Sequence, residues 1–67
     1  MRVLGLDPGL ATTGFAVVDR TATGFTAVAV GALRTSATSG HAARLGSIFR
    51  SVGAVIEDHR PDVVAVE

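Results

Sequence analysis

Apolar positions run through the 67-residue chain in two kinds of pattern. Arg2-Val-Leu-Gly-Leu-Asp7 is a short, nearly continuous apolar run closed by Asp7-Pro8-Gly9. It reads as a strand ended by a turn in which glycine tolerates a positive φ. Gly14 to Asp19 is a second such run. After the polar, glycine-bearing stretch Arg20 to Gly24, Phe25 to Leu33 is a third. Short connections between three consecutive strands predict an antiparallel meander.

The period then changes. Thr35 to Gly40 is polar, and Thr38 and Ser39 are its best-placed helix N-caps. Beyond it Leu45, Ile48, Phe49, Val52, Val55 and Ile56 recur at three- and four-residue spacing, the signature of one apolar helix face. Gly46 and Gly53 each weaken such a helix by about 1 kcal/mol relative to alanine. The helix is expected to end near Asp58-His59-Arg60, since Pro61 disfavours helical geometry in the residue before it. Val63 to Val66 is a fourth strand, apolar without alternation, which predicts burial on both faces. A helix between two strands implies a crossover, with the fourth strand parallel to the first. The expected class is α/β, in the order β-β-β-α-β.

That order contains a conflict. Two strands call for cover on both faces, and only one helix is present to give it. The other face would be an apolar surface larger than a monomer normally shows. Residues 1–67 are therefore expected to be part of a domain, loosely packed and prone to aggregate by themselves.

Composition narrows the setting. The chain is 48% hydrophobic with a mean hydropathy of +0.47, yet no apolar run approaches the roughly 18 residues needed to cross a bilayer. Asp7 interrupts the first apolar stretch, so no signal-peptide pattern forms. There is no cysteine, and His41 and His59 lack thiol partners for a structural zinc. The expected setting is cytoplasmic, with no membrane partner. Six arginines balance six acids, with no lysine. The arginines are scattered, so no basic stripe marks a nucleic-acid surface in this stretch.

Asp7 ends the first strand and Glu67 follows the fourth. If those strands are parallel neighbours, both carboxylates lie at the carboxyl edge of the sheet, where ligands bind in open α/β folds. Counting by twos, Asp7 shares a face with Gly5 and Val3, and Glu67 with Ala65 and Val63. Each acid thus has a small residue next to it, which leaves room for a metal or substrate. Two converging carboxylates suit a hard divalent cation such as Mg²⁺. The plainer alternatives stay open at this point: an aspartate before Pro-Gly as a turn residue, a solvated glutamate. Asp19 is assigned to a hairpin loop, Glu57, Asp58 and Asp62 to solvent around the helix end. His41 and His59 are read as non-catalytic.

The particular residues carry more than the pattern. Arg2-Val-Leu-Gly-Leu-Asp-Pro-Gly-Leu10 followed by Thr13-Gly14 resembles the start of RuvC-type Holliday-junction resolvases. Val30-Gly-Ala-Leu-Arg-Thr35 resembles their third strand, and His59-Arg-Pro-Asp-Val-Val-Ala-Val-Glu67 their second acidic motif. The resemblance implies a ribonuclease-H-like fold, of which residues 1–67 would be the N-terminal part of a single, incomplete nuclease domain. It implies a homodimer that cuts four-way DNA junctions symmetrically with Mg²⁺, for which Mn²⁺ can substitute. It further implies association with the RuvA and RuvB proteins. Asp7 then matches the first catalytic, metal-binding carboxylate and Glu67 the second. The family's other catalytic acids have no counterpart among these residues, so the 67 residues alone are expected not to cleave.

Two other classes share parts of the pattern. YqgF-type RNA-processing proteins resemble the Gly-Leu-Asp-x-Gly opening, but the Val-Ala-Val-Glu67 ending is not expected there. Actin-like and sugar-kinase ATPases favour Asp-x-Gly-x-Thr, whereas here Ala11 stands where that threonine belongs and Thr12 comes one step late.

Overall fold

A computed structural model describes residues 1–9, 12–34 and 40–67. Strand β1 (Arg2–Pro8) is followed by β2 (Thr12–Thr21), β3 (Gly24–Arg34), helix α1 (His41–His59) and β4 (Val63–Val66). They form one four-stranded sheet in the order β3-β2-β1-β4, with β1 antiparallel to β2, β2 antiparallel to β3, and β4 parallel to β1. The predicted meander and parallel crossover are both present.

Element ends differ from the sequence expectation in ways that matter. β1 continues through Asp7 to Pro8, which pairs with Thr13, so Asp7 is a strand residue opposite Gly14 rather than a turn residue. Gly9 does not take a positive φ; among the described glycines only Gly24, in the β2–β3 hairpin, does. Gly9 is needed for another reason. A Cβ there would come within 2.5 Å of the Thr12 carbonyl oxygen, closer than any side chain permits.

The N-cap of α1 is Gly40, one position beyond Ser39 and two beyond Thr38, the expected caps, both of which lie outside the described residues. Without a side-chain oxygen Gly40 cannot cap the free N–H groups of the first turn. The other end agrees with expectation. Arg60 takes the left-handed conformation (φ 48°, ψ 60°), its N–H donates to the Ile56 carbonyl at 2.7 Å, and Pro61 turns the chain back toward the sheet.

Alternation along the strands assigns residues to two faces. Leu4 and Val17 are registered partners and are fully buried, with Thr13 nearly so; this is the face under α1. Ile48, Val52 and Val55 of the helix are half-buried against it. Leu45, Phe49 and Ile56, from the same apolar stripe, stay exposed, Phe49 at 81%. The stripe is wider than the surface the sheet offers it.

The other face is open: Val30 is 75% exposed, and Phe25 and Val63 are exposed with it. β4 corrects the sequence expectation outright. Its unbroken apolar run predicts double burial, yet all four residues are exposed, because β4 is an edge strand and α1 gives its valines little cover. A bulge at Val17/Val18 adds a local twist to the β2–β3 pair.

Candidate metal centre at the carboxyl edge of the sheet

The register of β4 on β1 builds the site. Val3, Leu4, Gly5 and Leu6 pair with Val63, Val64, Ala65 and Val66 in turn. The Glu67 N–H donates to the Leu6 carbonyl at 3.1 Å, carrying the pairing one step past the strand. Asp7 and Glu67 therefore occupy equivalent positions on neighbouring strands, about 4.8 Å apart in the hydrogen-bonding direction, and both are exposed on the open face. Asp7 pairs on its other side with Gly14.

In front of the two acids lies an open depression of about 490 Å³ that both line, together with Gly5, Gly14, Ala16 and Ala65. Three of them are registered neighbours, Gly5 facing Ala16 on one side and Ala65 on the other, while Gly14 faces Asp7. With no side chain larger than a methyl group, the four make a low floor beside the carboxylates. The small residues expected beside each acid are thus where counting by twos puts them, and β2 contributes two more that the reading missed. The signal for these was available, since the antiparallel register pairs residues whose numbers add to 21, so Gly14 faces Asp7 and Ala16 faces Gly5.

Two carboxylates presented side by side from rigid strands fit a hard divalent cation, which takes oxygen ligands and retains several waters. Two carboxylates would make only part of such an ion's coordination shell. Among the described residues no group of three or more His, Cys, Asp and Glu converges. His41 is away from the site: with Arg44 it lines a groove on the helix side of the sheet, beside Pro8 and Gly9. Glu57, Asp58 and His59 lie at the C-terminal end of α1.

Two acids assigned to loop and solvent have definite partners. Asp19 is in β2, directly across from Arg2, and takes a two-pronged bond from its guanidinium, Nε to Oδ1 at 2.7 Å and Nη2 to Oδ2 at 2.9 Å. Those bonds, and then the arginine's charge, hold the Asp19 carboxyl below its ordinary value, while partial desolvation opposes them. The same bonds raise the Arg2 guanidinium. Arg2 Nη1 also donates to the His59 carbonyl at 2.8 Å. Asp62, immediately before β4, accepts from the Arg2 N–H through Oδ2 at 2.7 Å, and its own N–H donates to the Arg2 carbonyl at 2.8 Å.

With this geometry in hand, the comparisons with known proteins fall on one family. Residues 3–67 match the sequence model of the crossover junction endodeoxyribonuclease RuvC. The chain belongs to the RuvC family. It is 46% identical over all 67 residues to a RuvC of Burkholderia orbicola and 45% identical to one of Pelodictyon phaeoclathratiforme, covering 37% and 35% of those proteins. It thus spans little more than a third of their length. Its structure matches Thermus thermophilus RuvC with a TM-score of 0.87 at 32% identity, over 98% of this chain and 44% of that one. The same protein in complex with Holliday junction substrate matches with a TM-score of 0.86 at 33% identity, over 98% and 41%. The fold is accordingly ribonuclease-H-like, and neither the YqgF-type nor the actin-like reading is favoured. Among the described residues no helix is long and apolar enough to cross a membrane.

Proposed function

We propose that residues 1–67 are the N-terminal part of a Holliday-junction resolvase domain, and that Asp7 and Glu67 are two of its catalytic, metal-binding carboxylates. The observation that carries this reading is the β1–β4 register, with both acids at equivalent positions beside a floor of glycine and alanine. The metal is Mg²⁺, with Mn²⁺ able to substitute, and when bound it supplies activation of the attacking water and charge compensation at the scissile phosphate. Asp7 and Glu67 hold the ion; Gly5, Gly14, Ala16 and Ala65 leave room for the sugar-phosphate chain to approach it. The substrate is four-way junction DNA, a proposal supported by the likeness to a RuvC structure in complex with Holliday junction substrate. A cytoplasmic homodimer acting with RuvA and RuvB, and cutting two strands symmetrically, completes the reading by family.

The 67 residues are expected to bind the ion without cutting DNA, because two carboxylates are fewer than such a centre uses. Titration with Mn²⁺, followed by the electron paramagnetic resonance of the free ion, measures this. Asp7→Asn and Glu67→Gln should each weaken binding by more than about 100-fold, beyond the 10- to 100-fold typical of residues that only support ligands. Unchanged affinity in both variants would refute the site. Mg²⁺-dependent junction cleavage by the 67 residues, abolished by Asp7→Asn, would refute the incomplete centre.

A further inference from the structure

We propose that Arg2, acting with Asp19 and Asp62, sets the register of β4 on β1 and is thereby the positioning residue that brings Glu67 beside Asp7. This rests on the metal-site reading above and deepens it.

The inference starts from a weakness in β4. Register is specified where one face of a strand is apolar and buried and the other is not. Val63-Val-Ala-Val66 offers no such contrast, since it is apolar at every position and exposed at every position. Sliding it by one residue along β1 would exchange Val63 and Ala65 for Val64 and Val66 with almost no change in burial. The same slip would send Glu67 to the opposite face of the sheet from Asp7. Hydrophobic packing therefore does not align the two carboxylates.

Arg2 and its partners supply what the packing lacks. Its backbone N–H and C=O are both engaged by Asp62, the residue immediately before β4. Its side chain binds the last carbonyl of α1, that of His59, and is itself held by both oxygens of Asp19 from β2. One residue thus joins β1, β2, the helix end and the entry to β4. A one-residue slip would break both Arg2–Asp62 bonds and strain the Arg60–Pro61 turn that delivers the strand. The two-pronged Arg2–Asp19 pair is of the strong, geometrically fixed class; it joins β1 to β2 and holds the guanidinium in place for its bond to the His59 carbonyl at the entry to β4. Arg2 lies five residues from Asp7, about 17 Å at 3.3 Å per residue, so it touches neither the ion nor the substrate. Its effect on the site passes through strand alignment.

The test uses the 67-residue chain with two readouts, Mn²⁺ affinity and the cross-strand amide contacts of β1 with β4 by NMR. Alanine at position 2 removes the guanidinium bonds to Asp19 and the His59 carbonyl but keeps the backbone bonds to Asp62. The test variant is therefore Arg2→Ala with Asp62→Ala. In it the contact between Glu67 and Leu6 should be lost and Mn²⁺ binding weakened by about tenfold at a temperature where the chain stays folded. Adding Val3→Cys and Val63→Cys, which are registered partners, should restore both readouts once the disulfide is closed, and lose them again on reduction. A merely stabilising role predicts a lower melting temperature with native contacts and native affinity in the folded chain, and that result would overturn the inference. If the double variant does not fold, its cross-linked form decides: native contacts with native affinity support the inference, and weakened affinity despite native contacts overturns it. A wild-type chain that binds no Mn²⁺ removes the metal-site reading instead, and the amide contacts still decide the register.

Discussion

Alternate residues of the same strands build two unlike faces. Under α1, the pair Leu4 and Val17 is sealed, Thr13 is nearly so, and Arg2 and Asp19 close the end of the row. On the other face, one residue along each strand, Gly5, Ala16 and Ala65 form a shallow floor and Asp7 and Glu67 stand exposed at its edge. The covered face contributes the burial that holds the sheet together. The open face contributes almost none, and can therefore present carboxylates whose mutual repulsion a packed interior would not tolerate. Stability and chemistry are separated by a single step of the strand pleat.

The separation breaks most readily at Leu4. It is fully buried, and removing a buried leucine side chain typically costs about 2–5 kcal/mol. Small domains have little stability in hand, so Leu4→Ala is expected to leave the chain largely unfolded at 25 °C. Circular dichroism with a urea titration checks this. A midpoint close to the wild type would show that the helix-covered face is not what holds the sheet.

Acid gives a smaller effect on the same face. The Asp19 carboxyl is held below its ordinary value in the folded chain, chiefly by the hydrogen bonds from Arg2. A depressed folded value means that the contribution is present above the unfolded value and lost as pH falls through the folded one. The loss therefore falls below about pH 4. Both partners are partly exposed, so screening keeps the effect modest. Urea midpoints at pH 6 and pH 3 should fall further in the wild type than in Asp19→Asn, since the variant has no charge there to lose. Equal falls would mean that the pair adds nothing to folding.

Much of this was legible in the sequence because it depends on short-range rules. Strand period, the polar loops and the Pro61 stop locate all five elements, and parity along β1 and β4 puts Asp7 and Glu67 with Gly5 and Ala65 on one face. The exceptions depend on what surrounds a segment. The apolar run Val63–Val66 carries no record of whether anything packs on it, and here nearly nothing does. Asp19 looked like a loop residue because β2 extends to Thr21, past the end its apolar run suggested. The numbers of Arg2 and Asp19 add to 21, as do those of Asp7 and Gly14, so the cross-strand pair follows once the β1–β2 register is known. Asp62 could not be found this way, since its bonds to Arg2 depend on where the crossover lands.

The smallest effect is expected on the open face, and it sharpens the comparison most. Val30 is 75% exposed on that face, three strands from Glu67. Threonine keeps the β-branched shape that strands favour while replacing a methyl group by a hydroxyl that water can satisfy. Val30→Thr should change stability by no more than about 0.5 kcal/mol, the ordinary range for surface positions, which corresponds to about 2–4 °C in the melting temperature of so small a domain. It should also raise the concentration at which the chain stays monomeric in sedimentation experiments, because it reduces an exposed apolar surface. A loss above 1 kcal/mol in dilute solution would show that Val30 is buried there, and the open face would then be covered by a second copy of the chain. In that case the carboxylates too would sit at an interface, and their access to DNA would depend on its opening.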